Sequence, residues 1–142
     1  MELKPPEASS ESASNTTKRH LRILVADDNL DIRLMLSELL NIHGHEVYLA
    51  ENGEEAVALA VEKNPDVILM DVMMPRLSGL EAARSIHEHP GLADLPIIAI
   101  SAFRNPMPET STGTFPWHAY LSKPFDAREL ELLIDGIPPR EH

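Results

Sequence analysis

The chain has 142 residues, 43% of them hydrophobic, and carries a formal net charge of −11. This length suits one domain with a hydrophobic core and is too short for two domains of ordinary size. The twelve lysine and arginine residues are scattered, which argues against a nucleic-acid-binding surface. Cysteine is absent, so disulfides and Cys-ligated zinc are excluded. Because no apolar run reaches the roughly 18–20 residues of a membrane span and no signal peptide is recognisable, we expect a soluble cytoplasmic protein.

Composition divides the chain into a folded domain and two tails. Residues 1–20 are rich in proline, serine and threonine and are predicted to form a disordered tail, because they offer almost nothing to bury. The pattern of a folded domain runs from residue 21 to residue 138, and residues 139–142 form a second short tail. Within the domain, apolar runs typical of buried strands occur at residues 21–26, 46–50, 67–70, 96–100 and 119–122.

Segments with helical periodicity separate these strands. After the first strand, apolar residues at i, i+3, i+4, i+7 and i+8 predict a helix face made of Ile32, Met35, Leu36, Leu39 and Leu40. An alanine-rich helix is predicted over residues 53–64, and Ser78 is expected to cap a helix that runs to about His89. Asp126 is expected to cap the last helix, whose apolar face contains Leu130, Leu133, Ile134 and Ile137. Strands that alternate with helices indicate a doubly wound α/β fold with a parallel sheet and helices on both faces.

One segment does not fit this alternation. Residues 104–118 should contain the fourth helix, but Pro106, Pro108 and Pro116 cannot all lie inside one helix. The fourth helix is therefore expected to be short or irregular.

Side chains that carry chemistry fall at the ends of the predicted strands. Asp27 and Asp28 follow the first strand, and Asp71 follows the third. Ser101 follows the fourth strand and Lys123 follows the fifth. Because parallel strands bring their carboxyl ends to one edge of the sheet, we expect these side chains to converge there. The three carboxylates would repel one another without a cation, and an oxygen-only ligand set favours Mg²⁺ or Mn²⁺ over zinc.

Such a cluster is suited to phosphoryl chemistry. A carboxylate beside a divalent cation that holds phosphate oxygens can attack phosphorus. Lys123 would then supply a positive charge for the transferred group and Ser101 a hydroxyl donor.

Four short segments, taken together, resemble the receiver domain of two-component response regulators. They are Ile-Leu-Val-Ala-Asp-Asp-Asn at 23–29, Asp-Val-Met-Met-Pro at 71–75 with Ser-Gly at 78–79, Ile-Ala-Ile-Ser-Ala at 98–102, and Tyr-Leu-Ser-Lys-Pro-Phe at 120–125. Each motif alone is weak, but the set in this order and spacing is highly specific. The resemblance extends over about residues 21–137 and implies a flavodoxin-like sheet with strand order 2-1-3-4-5.

The resemblance also implies roles for individual residues. Asp71 would be the phosphoacceptor, and Asp27, Asp28, Asp71 and the main-chain carbonyl of Met73 would bind Mg²⁺. Ser101 and Lys123 would contact the phosphoryl group, and the peptide bond between Lys123 and Pro124 is expected to be cis. Tyr120 matches the aromatic position that moves with Ser101 when the domain is phosphorylated; otherwise it is a half-exposed strand aromatic.

The implied partners are proteins. The phosphoryl group would come from a histidine kinase or a histidine phosphotransfer protein, and the face around Ser101 and Tyr120 would control a protein output partner. The domain would assist its own phosphorylation and dephosphorylation without turning over a separate substrate. We expect no nucleic-acid or membrane partner, and a monomer or weak homodimer.

Three other functions remain open from the sequence. The first is a degenerate receiver that binds partners independently of phosphorylation. The second is a Mg²⁺-dependent phosphohydrolase with an aspartyl nucleophile, although Met73 stands where those enzymes generally place a second aspartate. The third is a flavodoxin-like binding module, although no glycine-rich phosphate cradle follows the first strand.

Overall fold

The computed structural model describes residues 20–74, 76–102 and 116–138. In this part of the chain five strands and four helices follow one another, and strands and helices alternate as far as β4. Their bounds are β1 Arg22–Ala26, α1 Leu30–Ile42, β2 Glu46–Ala50, α2 Gly53–Lys63, β3 Val67–Asp71, α3 Gly79–His87, β4 Ile97–Ser101, β5 Ala119–Ser122 and α4 Ala127–Asp135. The helix predicted between β4 and β5 falls in residues 104–118, most of which lie outside the described part of the chain. Residues 1–19 and 139–142, which belong to the predicted tails, lie outside it as well.

The strands form one parallel sheet in the order β2-β1-β3-β4-β5. This order confirms the flavodoxin-like topology that was predicted. It places β1 next to β3 in the middle of the sheet, so that Ala26 pairs with Met70 and Asp71 pairs with Ile100. The carboxyl ends of β1, β3 and β4 therefore lie side by side.

Two hydrophobic layers cover the sheet. On one face, β-strand side chains pack against small residues of α2 and α3, chiefly Ala56, Ala60, Ala82 and Ala83. On the other face, Leu36 and Leu40 of α1 and Leu130 and Ile134 of α4 pack against Ile23, Val25 and Leu69. Strands β3 and β4 are buried along their whole length, which explains why both read as continuous apolar runs.

Side chains at the N-terminus of each helix fix where it starts. Asn29, Asn52, Ser78 and Asp126 each accept a hydrogen bond from a backbone N–H of the first turn. In α3 and α4 this contact is part of a capping box, in which the third helical residue, a glutamate, accepts a hydrogen bond from the capping residue's backbone N–H. The expected caps at Ser78 and Asp126 are therefore confirmed.

Two details of the predicted helix faces are wrong. Met35, expected on the buried face of α1, has 50% of its surface exposed. The helix turns its Leu36 and Leu40 edge toward the sheet, and that rotation carries Met35 to the outer side. Ile137 is buried as expected, but it lies beyond the end of α4 and not on its face. No helix in residues 20–74, 76–102 or 116–138 is long and apolar enough to cross a membrane.

Candidate functional site

Three carboxylates meet at the carboxyl edge of the sheet. Asp27 follows β1 directly, Asp28 lies in the turn before α1, and Asp71 is the last residue of β3. One carboxylate oxygen from each lies within 4.8 Å of the others. Asp27 and Asp71 are buried, with 1% and 6% of their surfaces exposed, whereas Asp28 is exposed. The three carboxylates therefore converge as predicted.

Interactions with opposite effects act on the pKa of the Asp71 carboxyl group. Its Oδ1 accepts a hydrogen bond of 3.0 Å from the backbone N–H of Met73, and its Oδ2 lies 3.4 Å from Nζ of Lys123. Burial is the main influence, and with the negative charge of Asp27 it raises the pKa of Asp71 above the ordinary value, against the opposing effects of Met73 and Lys123. Asp71 is thus a carboxylate whose charge is costly in this position and would be stabilised by a further cation.

Lys123 supplies positive charge to the cluster. Its Nζ lies 3.1 Å from Oδ2 of Asp27 and 3.4 Å from Oδ2 of Asp71. Burial disfavours the charged ammonium, but the carboxylates of Asp71 and Asp27 hold the pKa of Lys123 above its usual value. The peptide bond between Lys123 and Pro124 is cis, as expected. One ammonium balances only part of the charge of three carboxylates.

Ser101 and Tyr120 share one face of the sheet. Ser101 is fully buried at the end of β4, and its carbonyl accepts a hydrogen bond of 2.6 Å from the backbone N–H of Lys123. Tyr120 is half-buried in β5 and pairs with Ala99, two residues before Ser101. Because side chains two residues apart on a strand point to the same face, Tyr120 and Ser101 project from the same side of adjacent strands.

The cluster fits a hard divalent cation. The metal-ligand atoms that it offers are all carboxylate oxygens, and two of the three carboxylates are buried. The single nearby ammonium leaves an excess of negative charge. Mg²⁺ prefers such oxygen ligands. The Met73 backbone amide contacts Asp71, while the ligand role of the Met73 carbonyl stays a prediction.

Sequence reasoning missed one residue beside the cluster. Arg33 of α1 donates a hydrogen bond of 2.7 Å from Nη1 to the main-chain carbonyl of Asp27. Its position in a first helical turn gives no hint of this contact, since an arginine there is usually solvated.

Comparison with known proteins agrees with the fold. The sequence pattern of the response regulator receiver domain matches residues 23–135. Protein PilH of Pseudomonas aeruginosa is 34% identical over 116 residues, which are 82% of this chain and 96% of PilH. Response regulator MprA of Mycolicibacterium vanbaalenii is 40% identical over 111 residues, which are 78% of this chain but only 47% of MprA. The chain thus spans nearly all of one relative and about half of the other.

A solved structure shows the same architecture. The receiver domain of the sensor histidine kinase PA1611 from Pseudomonas aeruginosa superposes with a TM-score of 0.75 at 29% identity, covering 84% of this chain and 98% of that domain. That protein holds a magnesium ion in its active site cleft. The match over residues 23–135, the strand order and the acidic cluster agree, and the chain belongs to the response regulator receiver domain family.

Proposed function

We propose that this domain is a phosphoacceptor in two-component signal transduction and that Asp71 receives a phosphoryl group from a phosphohistidine on a partner protein. The observation that carries the proposal is the placement of Asp71, buried at a strand end between Lys123 and two further carboxylates. A structural salt bridge needs only one carboxylate, whereas here Nζ of Lys123 contacts both Asp27 and Asp71, and the carboxylate of Asp28 lies within 4.8 Å of theirs. The excess of negative charge is what a site built for a divalent cation and a phosphoryl group requires.

The chemistry follows from the groups present. A carboxylate oxygen of Asp71 attacks phosphorus, the bond from phosphorus to the imidazole nitrogen breaks, and its electron pair returns to the imidazole. Lys123 favours the ionised, nucleophilic form of Asp71 and faces the oxygens that gain charge. Mg²⁺ held by Asp27, Asp28 and Asp71, or Mn²⁺ in its place, would offset the repulsion between the carboxylates and the phosphoryl oxygens.

The signal would be carried by the face that Ser101 and Tyr120 share. Ser101 lies next to Lys123 through their backbone hydrogen bond, and Tyr120 follows on the same side of β5. A phosphoryl group on Asp71 that accepts a hydrogen bond from the Ser101 hydroxyl would shift Ser101, and the Tyr120 ring would follow. We propose that a protein partner reads this change in the cytoplasm, and the net charge of −11 disfavours a nucleic-acid partner.

The phosphoacceptor role is tested by intact mass after incubation with Mg²⁺ and acetyl phosphate. We expect the parent chain to gain one phosphoryl group and the Asp71→Asn variant to gain none, because an amide is not a nucleophile toward phosphorus. Asp94→Asn, in the exposed turn before β4, is the matched control and should be phosphorylated like the parent. Lack of gain in the parent with several donors would contradict the proposal and favour a receiver that acts without phosphorylation.

The cation site is tested by thermal unfolding with and without Mg²⁺. At a concentration of 100 times the Kd, Mg²⁺ should raise the free energy of unfolding by about 2.7 kcal/mol, because it binds only the folded chain. In Asp28→Asn a tenfold loss of affinity should reduce this gain by about 1.3 kcal/mol. Asp94→Asn again serves as the control. An equal gain in Asp28→Asn and the parent would show that the cation binds elsewhere.

A further inference from the structure

The side chain of Arg33 extends back over the turn that contains Asp27 and Asp28. The residue is half-buried in α1, and its backbone N–H donates to the carbonyl of Asn29 at 3.0 Å. From there its side chain returns along the helix, and Nη1 donates to the carbonyl of Asp27 at 2.7 Å. The guanidinium therefore bridges α1 and the end of β1.

This contact completes the hydrogen bonding of Asp27. The backbone N–H of Asp27 donates to Ala50 at 3.1 Å, and its Oδ1 accepts from the backbone N–H of Asn29 at 2.9 Å. Oδ2 faces Lys123 at 3.1 Å. With Arg33 on the carbonyl, four separate contacts fix the position of this buried residue and the direction of its carboxylate.

Charge alone does not explain why an arginine lies here. A cation in the first turn of a helix is opposed by the positive end of the helix dipole. Among the described residues, no carboxylate lies within 4.0 Å of the Arg33 guanidinium. The contact that remains is the one with the carbonyl of Asp27.

We propose that Arg33 is a positioning residue for the divalent-cation site. It holds the turn of residues 27–29 so that the carboxylates of Asp27 and Asp28 point toward Asp71, and it touches neither the cation nor the phosphoryl group. The inference rests on the cation site of the proposed function. Partners that orient metal ligands in this way commonly change metal affinity by about 10–100-fold when they are removed.

Two effects of Arg33 on Mg²⁺ have opposite signs, and this makes the proposal testable. As a nearby positive charge, the guanidinium repels Mg²⁺, so Arg33→Met would tighten binding if charge alone mattered. As a positioning group it supports binding, so Arg33→Met should weaken Mg²⁺ affinity by about tenfold. Arg33→Lys keeps both a charge and a donor and should recover most of the affinity.

The experiment is calorimetric Mg²⁺ titration of the full chain, together with the backbone amide resonance of Asn29 in the metal-free chain. Arg84→Met, an exposed arginine near the end of α3, is the control and should match the parent in both. We expect Arg33→Met to bind Mg²⁺ about tenfold more weakly and to shift the Asn29 resonance, because that amide donates to Asp27.

Unchanged or tighter Mg²⁺ binding in Arg33→Met would overturn the proposal, as would Arg33→Lys binding as weakly as Arg33→Met. Thermal unfolding without Mg²⁺ confirms that each variant is folded at the titration temperature. A parent chain that binds no Mg²⁺ would refute the cation site of the proposed function itself. In that case an unshifted Asn29 resonance in Arg33→Met would also refute the role of Arg33 in holding the turn.

Discussion

Replacing Lys123 with methionine is expected to lower the free energy of unfolding by about 2 kcal/mol at neutral pH and to abolish the proposed phosphorylation of Asp71. Methionine keeps the apolar stem of the side chain but removes the ammonium that lies 3.1 Å from Asp27 and 3.4 Å from Asp71. Two buried carboxylates then face each other without a counter-charge, and removing one partner of a buried ionic contact is strongly destabilising. Because 22% of the Lys123 side chain is exposed, the expected loss is smaller than the loss of about 3–5 kcal/mol for a fully buried pair.

The pH dependence of this loss has a definite sign. The folded chain raises the pKa of Asp71, chiefly because burial disfavours its charge. Lowering the pH through that pKa protonates Asp71 and removes the repulsion, so the cost of Lys123→Met should shrink in acid. The pKa of Lys123 is raised in the folded chain by the two carboxylates, despite burial, so its stabilising charge is lost only as the pH rises through that value. The difference should be largest between these two pKa values.

Chemical denaturation across pH measures this loss, and Asp71→Asn is the matched background. Lys123→Met should cost clearly less stability when Asp71 is already neutral, because the two side chains contact each other and their effects are not additive. An equal cost in both backgrounds, or a cost that does not vary with pH, would show that the ammonium does not balance these carboxylates.

The variant Gly79→Ala is expected to destabilise the domain by about 3 kcal/mol. A Cβ built on Gly79 would lie 2.3 Å from the carbonyl oxygen of Asp71 and 2.8 Å from Cα of Val72. Both are backbone atoms that cannot move aside without shifting the start of α3 or the end of β3. The usual gain from replacing glycine by alanine in a helix is much smaller than this clash.

Gly136→Ala is the control for this prediction. Its Cβ would meet nothing closer than 3.6 Å, and the residue has ordinary helical angles at the end of α4, so we expect a change within about 0.5 kcal/mol. Urea denaturation of both variants measures the difference. Equal stability of Gly79→Ala and the parent would mean that the close approach of α3 to β3 is not required.

The position of the site was largely predictable because each of its residues is marked by a local signal, the apolar run that precedes it. Asp27, Asp71 and Ser101 stand at the ends of apolar runs, and parallel strands bring their ends to one edge whatever the details of packing. The structure includes Asp71 in β3 and Ser101 in β4, one residue beyond the predicted strand ends. A strand continues as long as the neighbouring strand offers backbone hydrogen-bond partners. Asp71 still pairs with Ile100, so β3 ends one residue later than predicted.

The orientation of α1 was less predictable. Besides the predicted face, the helix has exposed apolar residues at Leu30, Leu34 and Ile42, so its pattern fits more than one rotation. Packing of Leu36 and Leu40 against the sheet decides between them and leaves Met35 outside. The contact from Arg33 to Asp27 could not be predicted either, since it depends on that rotation and on the path of a long side chain.

The sheet order predicts that strand β3 and the turn that contains Asp28 exchange their amide hydrogens with solvent at different rates. Strand β3 is hydrogen-bonded to β1 and β4 and buried along its length, so its amide hydrogens should exchange with solvent only when the whole domain unfolds. Asp28, in contrast, lies in an exposed turn, where local opening is enough. We therefore expect the proposed phosphoacceptor to belong to a slowly exchanging unit and Asp28, a proposed cation ligand, to a fast one. Cation binding would slow exchange in the turn and leave exchange in β3 governed by global stability.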